Sequence, residues 1–186
     1  MSIFADRITQ LGAPAEYQDW AHDLDLVEGW VQCRRGDWMM AVLVATQVDG
    51  KLITRAAIDC AEPCEKHVKG ARQSLRDALI CAKDWCAGLC RIEQVQLAVR
   101  MAMEEGHIVV NTTDALRDPN ARVLHDMARY AMCAAAHSAI ARADAINAVS
   151  GAGQCSGAFG DTALEVSALR IRVRFPLDVV QAALGL

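Results

Sequence analysis

The sequence predicts an all-α protein, a single-domain multilayer or orthogonal helical bundle of about seven to nine helices over residues 1–186. Hydrophobic residues make up 53% of the chain, but aromatic residues only 5%. Much of the apolar content is therefore alanine, which is the best helix former and suits closely packed helices. Apolar residues also recur at helical spacing, most clearly at Leu75, Ala78, Leu79 and Ala82.

Capping signals mark the first two helices. Ser2 can cap an opening helix that ends near Gly12, because glycine commonly ends helices. Pro14 suits the first turn of a second helix over residues 15–22. Both helices are short, and we expect them to cover the bundle.

The following residues lead to the predicted centre of the bundle. Asp23 or Asp25 can cap a third short helix that ends near Cys33. Residues 38–47 are apolar nearly all round, which predicts a helix buried among the others. Trp38 begins this helix, and we expect it in the core.

Three polar or special residues set the ends of the next helices. Asp37 can accept hydrogen bonds from the first amides of the buried helix. Asp49 and Gly50 predict a turn, since glycine tolerates a positive φ. A helix over residues 51–68 follows, and Pro63 must kink or divide it because proline lacks a backbone donor.

The middle of the chain carries the clearest helical pattern. Gly70 opens this helix, and its apolar stripe continues from Leu75 to Cys86 and Leu89. Residues 92–103 predict another helix. Residues 107–111 have β character, but a lone short strand is unstable, so we expect a loop there.

A long helix is predicted to begin at Asp118 and Pro119, an N-cap followed by proline at the first helical position, and to run to about Ala148. Its small-residue stripe suits close approach by another helix. The stripe consists of Leu124, Met127, Ala128, Ala131, Ala135 and Ala139.

The rest of the chain begins with a glycine-rich segment. Residues 150–160 predict a loop or a weak helix. Asp161 can cap a helix over residues 162–172, and Pro176 starts a final turn or two of helix.

Composition and motifs exclude several classes of function. A net charge of −4 and a pI near 5.7 provide no footprint for nucleic acid or an anionic membrane. The N-terminus lacks the pattern of a signal peptide, and no apolar run approaches the roughly 20 residues of a membrane span. We therefore expect a cytoplasmic protein with reduced cysteines. No catalytic or nucleotide-binding motif is present, so the sequence predicts neither an enzyme nor a cofactor.

Two runs resemble a known family. They are residues 33–40, CRRGDWMM, and residues 56–62, AAIDCAE, followed by a proline, an amphipathic helix over 74–87 and an alanine-rich helix. Over about residues 30–150 the chain resembles the alanine-rich helical immunity proteins of bacterial toxin loci and of phage or other mobile elements. The resemblance implies a non-enzymatic inhibitor that occludes a protein partner, namely a toxin, a nuclease or a defence component. A homo-oligomer is also compatible with the sequence.

The acidic segment between the second and third helices is the candidate partner-binding surface. Complementary charge accelerates association with a basic partner, and tryptophan is the residue type most enriched in binding hot spots. The alternative is that these carboxylates only form a solvated face and that the two tryptophans pack against the bundle. The candidate residues are Asp19, Trp20, Asp23, Asp25, Glu28 and Trp30.

Two cysteine pairs suggest an alternative function, the binding of Cu(I) or Zn. Cys60 and Cys64, with His67 nearby, and Cys86 and Cys90 are spaced four apart, which places each pair on one helix face. These segments resemble fragments of the cysteine-lined helical bundles that store copper. If the two helices form a hairpin, the pairs lie roughly 16 Å apart, too far for one four-thiolate site. Two-ligand or intersubunit sites remain, and packing as small buried side chains is the simpler interpretation.

Cys133 and His137 form another pair four residues apart, on the helix face that also carries Tyr130 and Asp126. A cysteine and a histidine can act as nucleophile and base. Cysteine proteases place the two on separate elements across a cleft, so we interpret this face as a second packing face.

Overall fold

The computed structural model describes residues 3–12, 15–68, 72–112, 119–156 and 160–186, with only the backbone for residues 72, 106–112, 119 and 121. These residues form eleven α-helices and one 3₁₀-helix. The α-helices are α1 (Ile3–Gln10), α2 (Ala15–Ala21), α3 (Leu26–Gln32), α4 (Gly36–Ala45), α5 (Gly50–Ala61), α6 (Arg72–Cys86), α7 (Ile92–Thr112), α8 (Pro119–His137), α9 (Asp144–Cys155), α10 (Gly160–Arg174) and α11 (Leu177–Leu184). The 3₁₀-helix, Glu62–His67, follows α5 directly.

The all-α prediction is confirmed for these residues, but the predicted number of helices was too low. The long helix predicted to reach Ala148 is two helices, because α8 ends at His137. The Ser138 hydroxyl follows this end and lies within hydrogen-bond distance of the carbonyl of Ala135, at 2.7 Å, and of the hydroxyl of Thr54 on α5, at 3.1 Å. The final turns after Pro176 also form a complete helix, α11.

Several predicted helix ends are confirmed. The Asp25 carboxylate accepts from the amide of Glu28 at 2.8 Å and so caps α3. Asp49, which was predicted only as a turn residue, also caps a helix, since it accepts from the amide of Lys51 at the start of α5 at 2.9 Å. Pro63 divides the helix predicted over 51–68, since α5 ends before it and the 3₁₀-helix contains it.

Two predicted roles of polar and turn residues were wrong. Asp37 does not cap α4, because its carboxylate forms a bidentate ion pair with Arg35 at 2.7 and 2.9 Å. Gly50 does not supply a positive φ but forms the first residue of α5.

Residues 107–111 are helical and belong to α7, not to the predicted loop. Intrinsic β propensity is a weak preference that an established helix overrides. The glycine-rich segment is also helical as far as Cys155. Its glycines serve close packing, since a Cβ on Gly151 would lie 3.2 Å from the Cβ of Ala131, in the predicted stripe of α8. Ser2, Pro14, Gly70, Asp118 and residues 157–159 lie outside the described residues.

The core contains buried side chains from every helix, and its largest is Trp30, not Trp38. Trp38 is only partly buried and stacks on Tyr17 at a ring-centroid distance of 5.2 Å. Trp85 is also partly buried, and Leu89, predicted to continue the α6 stripe, is 77% exposed in the turn after α6. Gly88 adopts a φ of +78° in that turn. The helical spacing of α6 therefore does not continue to Leu89.

Arg142 connects the corner between α8 and α9 to the end of α4. Its guanidinium donates to four carbonyl oxygens: those of Leu43 at 2.8 Å, Val44 at 2.9 Å, Thr46 at 3.0 Å and Val48 at 2.6 Å. Carbonyls at the end of a helix lack a full set of intrahelical donors, and here the carbonyl of Leu43 also accepts from the backbone N–H and the hydroxyl of Thr46. One cation therefore completes the C-terminal hydrogen bonds of α4 and sets the path into α5.

Within the described ranges, no helix is both long and apolar enough to cross a membrane.

The N-terminus of α4 lies against α10 at Gly36. A Cβ at this position would come 2.7 Å from the Cβ of Ser167 and 2.9 Å from the backbone nitrogen of Ala168. Real Cβ atoms do not approach so closely, and backbone cannot rotate away as a flexible side chain can. The absence of a side chain at Gly36 therefore sets the distance between the two helices.

Replacing Gly36 with alanine should force α4 and α10 apart and lower the free energy of unfolding by about 1–3 kcal/mol. Gly50→Ala is the matched control, because only the end of Arg142 lies within 4.0 Å of a Cβ there. The control should be neutral or stabilising by about 0.5–1 kcal/mol, since alanine restricts the unfolded chain. Urea unfolding measures both, and equal effects would contradict the close contact.

Candidate functional site

The predicted acidic surface is only partly as expected. Asp19, Asp23, Asp25 and Glu28 are exposed, as a binding surface requires. Trp30 is 1% exposed, and its indole nitrogen donates to the carbonyl of Phe175 at 3.2 Å. Trp30 therefore belongs to the core and cannot contact a partner in this conformation.

Trp20 is partly buried within an aromatic cluster. Its ring stacks on Tyr17 at 5.4 Å between centroids and lies 6.3 Å from the ring of Trp38. The Arg35 guanidinium covers the ring of Trp38 at 4.6 Å. The cluster joins α2 to α4, so the main role of Trp20 is packing, and the acidic segment lacks an exposed aromatic anchor.

The structure brings only some of the predicted metal ligands together, since Cys60, Cys64 and His67 line one pocket and Cys86 lines another. Cys90 lies beside Cys81, with 3.7 Å between the sulfur atoms, and not beside Cys86. The reason is that α6 ends at Cys86, so the spacing of four no longer places Cys90 on the same helix face. The Cys60 thiol donates to the carbonyl of Ser167 at 3.9 Å. Among the described side chains, no group of three or more His, Cys, Asp or Glu residues could hold a metal ion.

Cys60 and Cys64 instead line a pocket, which the spacing of the cysteines did not predict. The described residues of α5, the 3₁₀-helix, α9 and α10 line a partly open pocket of about 230 Å³ there. Cys155 comes from the end of α9, and α10 contributes apolar and hydroxyl side chains, including Val166 and Ser167. A water molecule occupies about 30 Å³ in the liquid, so the pocket has room for a small molecule or one side chain.

Thiols from two different elements meet in this pocket. Cys64 and Cys155 both line it, and the Cys155 thiol donates to the carbonyl of Leu124 at 3.9 Å. The interaction with Cys155, followed by burial, raises the pKa of Cys64. Burial also raises the pKa of Cys60, to about 11.

The entrance of the pocket is basic. Lys66, His67 and Arg170 line it. Burial, followed by the charge of Lys66, lowers the pKa of His67, so at neutral pH this imidazole is mainly uncharged. Arg170 donates to the carbonyl of Asp59 at 2.8 Å, which holds it over α5.

A stripe of exposed apolar side chains continues from the pocket along α10. Val166 is 39% exposed, Leu169 54% and Val173 86%. The opposite side of the helix buries Ala168 and Ile171 in the core. Because α10 is apolar on both sides, it contacts the core with one side and presents the other to solvent. We name Val166, Leu169 and Val173 the α10 stripe.

Cys133 and His137 are not paired as a nucleophile and its base. His137 Nδ1 contacts the carboxylate of Asp144, while Cys133 lines a separate surface pocket with Tyr130. Burial raises the pKa of Cys133, which opposes a nucleophilic role. The prediction of a second packing face is only partly correct, because Tyr130 is exposed.

Sequence reasoning missed Cys155 and the α10 stripe for different reasons. Cys155 lies in the segment predicted as a loop or a weak helix, so nothing related it to Cys64 before the packing of α9 was known. The α10 stripe was detectable, because apolar residues on both sides of a short helix are unusual for one that contacts a core with one side.

Comparison of the chain with family profiles, with curated proteins and with solved structures found no match. The resemblance to immunity proteins therefore stays a prediction.

Replacing both Cys60 and Cys64 with alanine should leave the content of copper and zinc unchanged, since the described residues do not assemble a metal site. Protein purified under reducing conditions and analysed by mass spectrometry for metals tests this. Stoichiometric copper or zinc in the wild type, absent from the double variant, would contradict the expectation and restore the metal hypothesis.

Proposed function

We propose that the protein is a non-enzymatic cytoplasmic binding protein of the immunity or mobile-element accessory type. It occludes a protein partner, which is a toxin, a nuclease or a defence component. The multilayer arrangement of a single domain belongs to the same proposal, and the shared core of all eleven helices supports it. The observation that carries the proposal is the α10 stripe.

The α10 stripe has the properties of a recognition surface. Side chains that face solvent on a helix are usually polar, whereas this helix exposes three aliphatic side chains in a row over two turns. Contiguous apolar surface on a water-exposed helix marks a site of interaction. Burying it against a partner contributes favourable free energy at about 25 cal/mol per Å².

The neighbouring pocket supplies an anchoring position. Val166 belongs to both the stripe and the pocket, so the two form one continuous surface. Binding energy concentrates where a side chain fills a dry pocket within a larger contact. Lys66 and Arg170 at the entrance favour carboxylates on the other side. The partner surface that fits is therefore an apolar side chain flanked by acidic residues.

Glutamate at both Leu169 and Val173 should abolish partner binding, because a carboxylate in an apolar contact loses its hydration. Both side chains are exposed, so the fold should remain intact. Leu89→Glu is the matched control, since Leu89 is equally apolar and 77% exposed but lies after α6. Capture from lysates of the native host, followed by mass spectrometry, should show a protein retained by the wild type and Leu89→Glu and lost from the double variant.

The same proteins captured by all three forms would contradict the proposal. Sedimentation of the purified protein adds a further control. Self-association that the double variant abolishes would assign the α10 stripe to contacts between copies of this chain, and would also count against a foreign partner there.

The acidic segment is tested by Asp19→Lys combined with Asp23→Lys, measured as the rate of association with the captured protein. Asp25 is left unchanged because it caps α3. If these carboxylates steer a basic partner, the double variant should associate more slowly, and high salt should reduce the difference. An unchanged association rate would assign them to solubility alone.

A further inference from the structure

We propose that Cys81 and Cys90 form a redox-sensitive pair, which closes a disulfide across the turn between α6 and α7 when a small-molecule disulfide oxidises it. This inference goes beyond the proposed function and does not depend on it.

The first support is the distance between the two thiols. Both are free, and their sulfur atoms lie 3.7 Å apart. The sulfur of Cys90 also lies 3.2 Å from the carbonyl oxygen of Cys81. A disulfide bond is about 2.05 Å long, so the two sulfurs need to approach by only about 1.7 Å. Rotation about the Cα–Cβ bonds moves a sulfur atom by a comparable distance, so the helices can stay in place.

The second support is the backbone turn that brings the two cysteines together. Nine residues along an unbroken α-helix span about 13.5 Å, so the pair would not meet within one helix. Instead α6 ends, and Gly88, at a φ of +78°, donates its N–H to the carbonyl of Trp85 at 3.0 Å. The N–H of Leu89 donates to the carbonyl of Asp84 at 2.8 Å. These two bonds are the pattern of a Schellman turn, which folds Cys90 back beside α6. Backbone hydrogen bonds therefore hold the pair together.

The third support is access from solvent. Cys81 and Cys90 are partly buried, and the turn residues Gly88 and Leu89 next to Cys90 are exposed. A small disulfide can therefore reach this pair more easily than it reaches the thiols of the core. Four cysteines are buried there, namely Cys33, Cys60, Cys64 and Cys155.

Cys86 provides an internal comparison on the same helix. It is also partly buried, and burial raises the pKa of Cys81 and of Cys86 to about 11, with Cys90 adding to the rise at Cys81. Cys86 lines a separate pocket with Lys51 and Arg55. The spacing of four in the sequence would pair Cys90 with Cys86, whereas the turn places it beside Cys81. The two thiols of α6 therefore test whether position decides which of them is oxidised.

The reaction balances in two exchange steps. One of the two cysteines attacks the small disulfide as a thiolate, so that a mixed S–S bond forms, the original S–S bond breaks and one small thiolate leaves. The other cysteine loses its proton and attacks the protein sulfur of the mixed disulfide. The Cys81–Cys90 bond forms, the mixed bond breaks, and the second small thiolate leaves. The two cysteine protons pass through water to these thiolates. The protein loses two electrons, which reduce the small disulfide to two thiols.

The test incubates the full-length protein in glutathione buffers from fully reduced to fully oxidised and maps its disulfides by peptide mass spectrometry. A Cys81–Cys90 bond should be roughly tenfold more abundant than a Cys86–Cys90 bond, because the second exchange is fastest where the attacking sulfur is already in place. Cys86→Ser is the matched control, and its Cys81–Cys90 bond should form as in the wild type.

Two single variants separate the steps of the exchange. Cys81→Ser and Cys90→Ser each remove the second step, so one of them should accumulate a glutathione adduct on the remaining cysteine of the pair. That variant identifies the thiol that reacts first. An adduct in neither variant would count against the exchange.

A Cys86–Cys90 bond of equal or higher abundance would overturn the proposal. Glutathione adducts on both Cys81 and Cys90 without a bond between them would do the same, as would the absence of that bond in fully oxidised glutathione. The disulfide map of the wild type requires no substitution, so its outcome stands even if a variant fails to fold.

Discussion

The guanidinium of Arg142 is the interaction on which the arrangement of the central helices depends. Four carbonyl oxygens at the end of α4 accept from it, and a helix end with buried, unpaired carbonyls is costly. Burial lowers the pKa of this group, but an arginine remains charged at any physiological pH. The corner that contains Arg142 exists only because α8 stops at His137, so the division of the predicted long helix and the closure of α4 have one cause.

Other arginines repeat this arrangement around α10. Arg172 donates to the carbonyls of Trp30 and Cys33, at 3.1 and 2.8 Å, and so completes the C-terminus of α3. Arg174 forms an ion pair with Asp59 on α5 at 2.5 Å. Long cationic side chains thus fix α10 on two sides, which leaves its remaining side free for apolar residues that the fold does not need.

The sequence predicted what depends on local signals and failed where distant packing decides. Asp25 and Pro63 act through neighbours within four residues, and both were predicted correctly. The composition around Gly151 left a loop and a weak helix as alternatives, and the contact of Gly151 with Ala131 in the folded chain favours the helix. For Trp30 the sequence left a packing role and an exposed binding role open, since nothing near it in sequence indicates that Phe175 accepts its hydrogen bond.

The candidate site shows the same division. The spacing of Cys60 and Cys64 correctly indicated that the two lie near each other. The residues that surround them, however, belong to α9 and α10. The cysteine that changes the chemistry of Cys64 lies far along the chain, so no local pattern relates the two. Pairing Cys86 with Cys90 failed for the opposite reason, because a helix end between them removed the periodicity that the prediction assumed.

The dependence of Trp30 on Phe175 and Arg172 has a consequence for biosynthesis. During translation, α3 leaves the ribosome long before the residues that accept its indole N–H and cap its last turn. For that interval of more than 140 residues, the largest side chain of the core has no completed binding place. The first helices therefore cannot complete their packing until residue 175 has been synthesised.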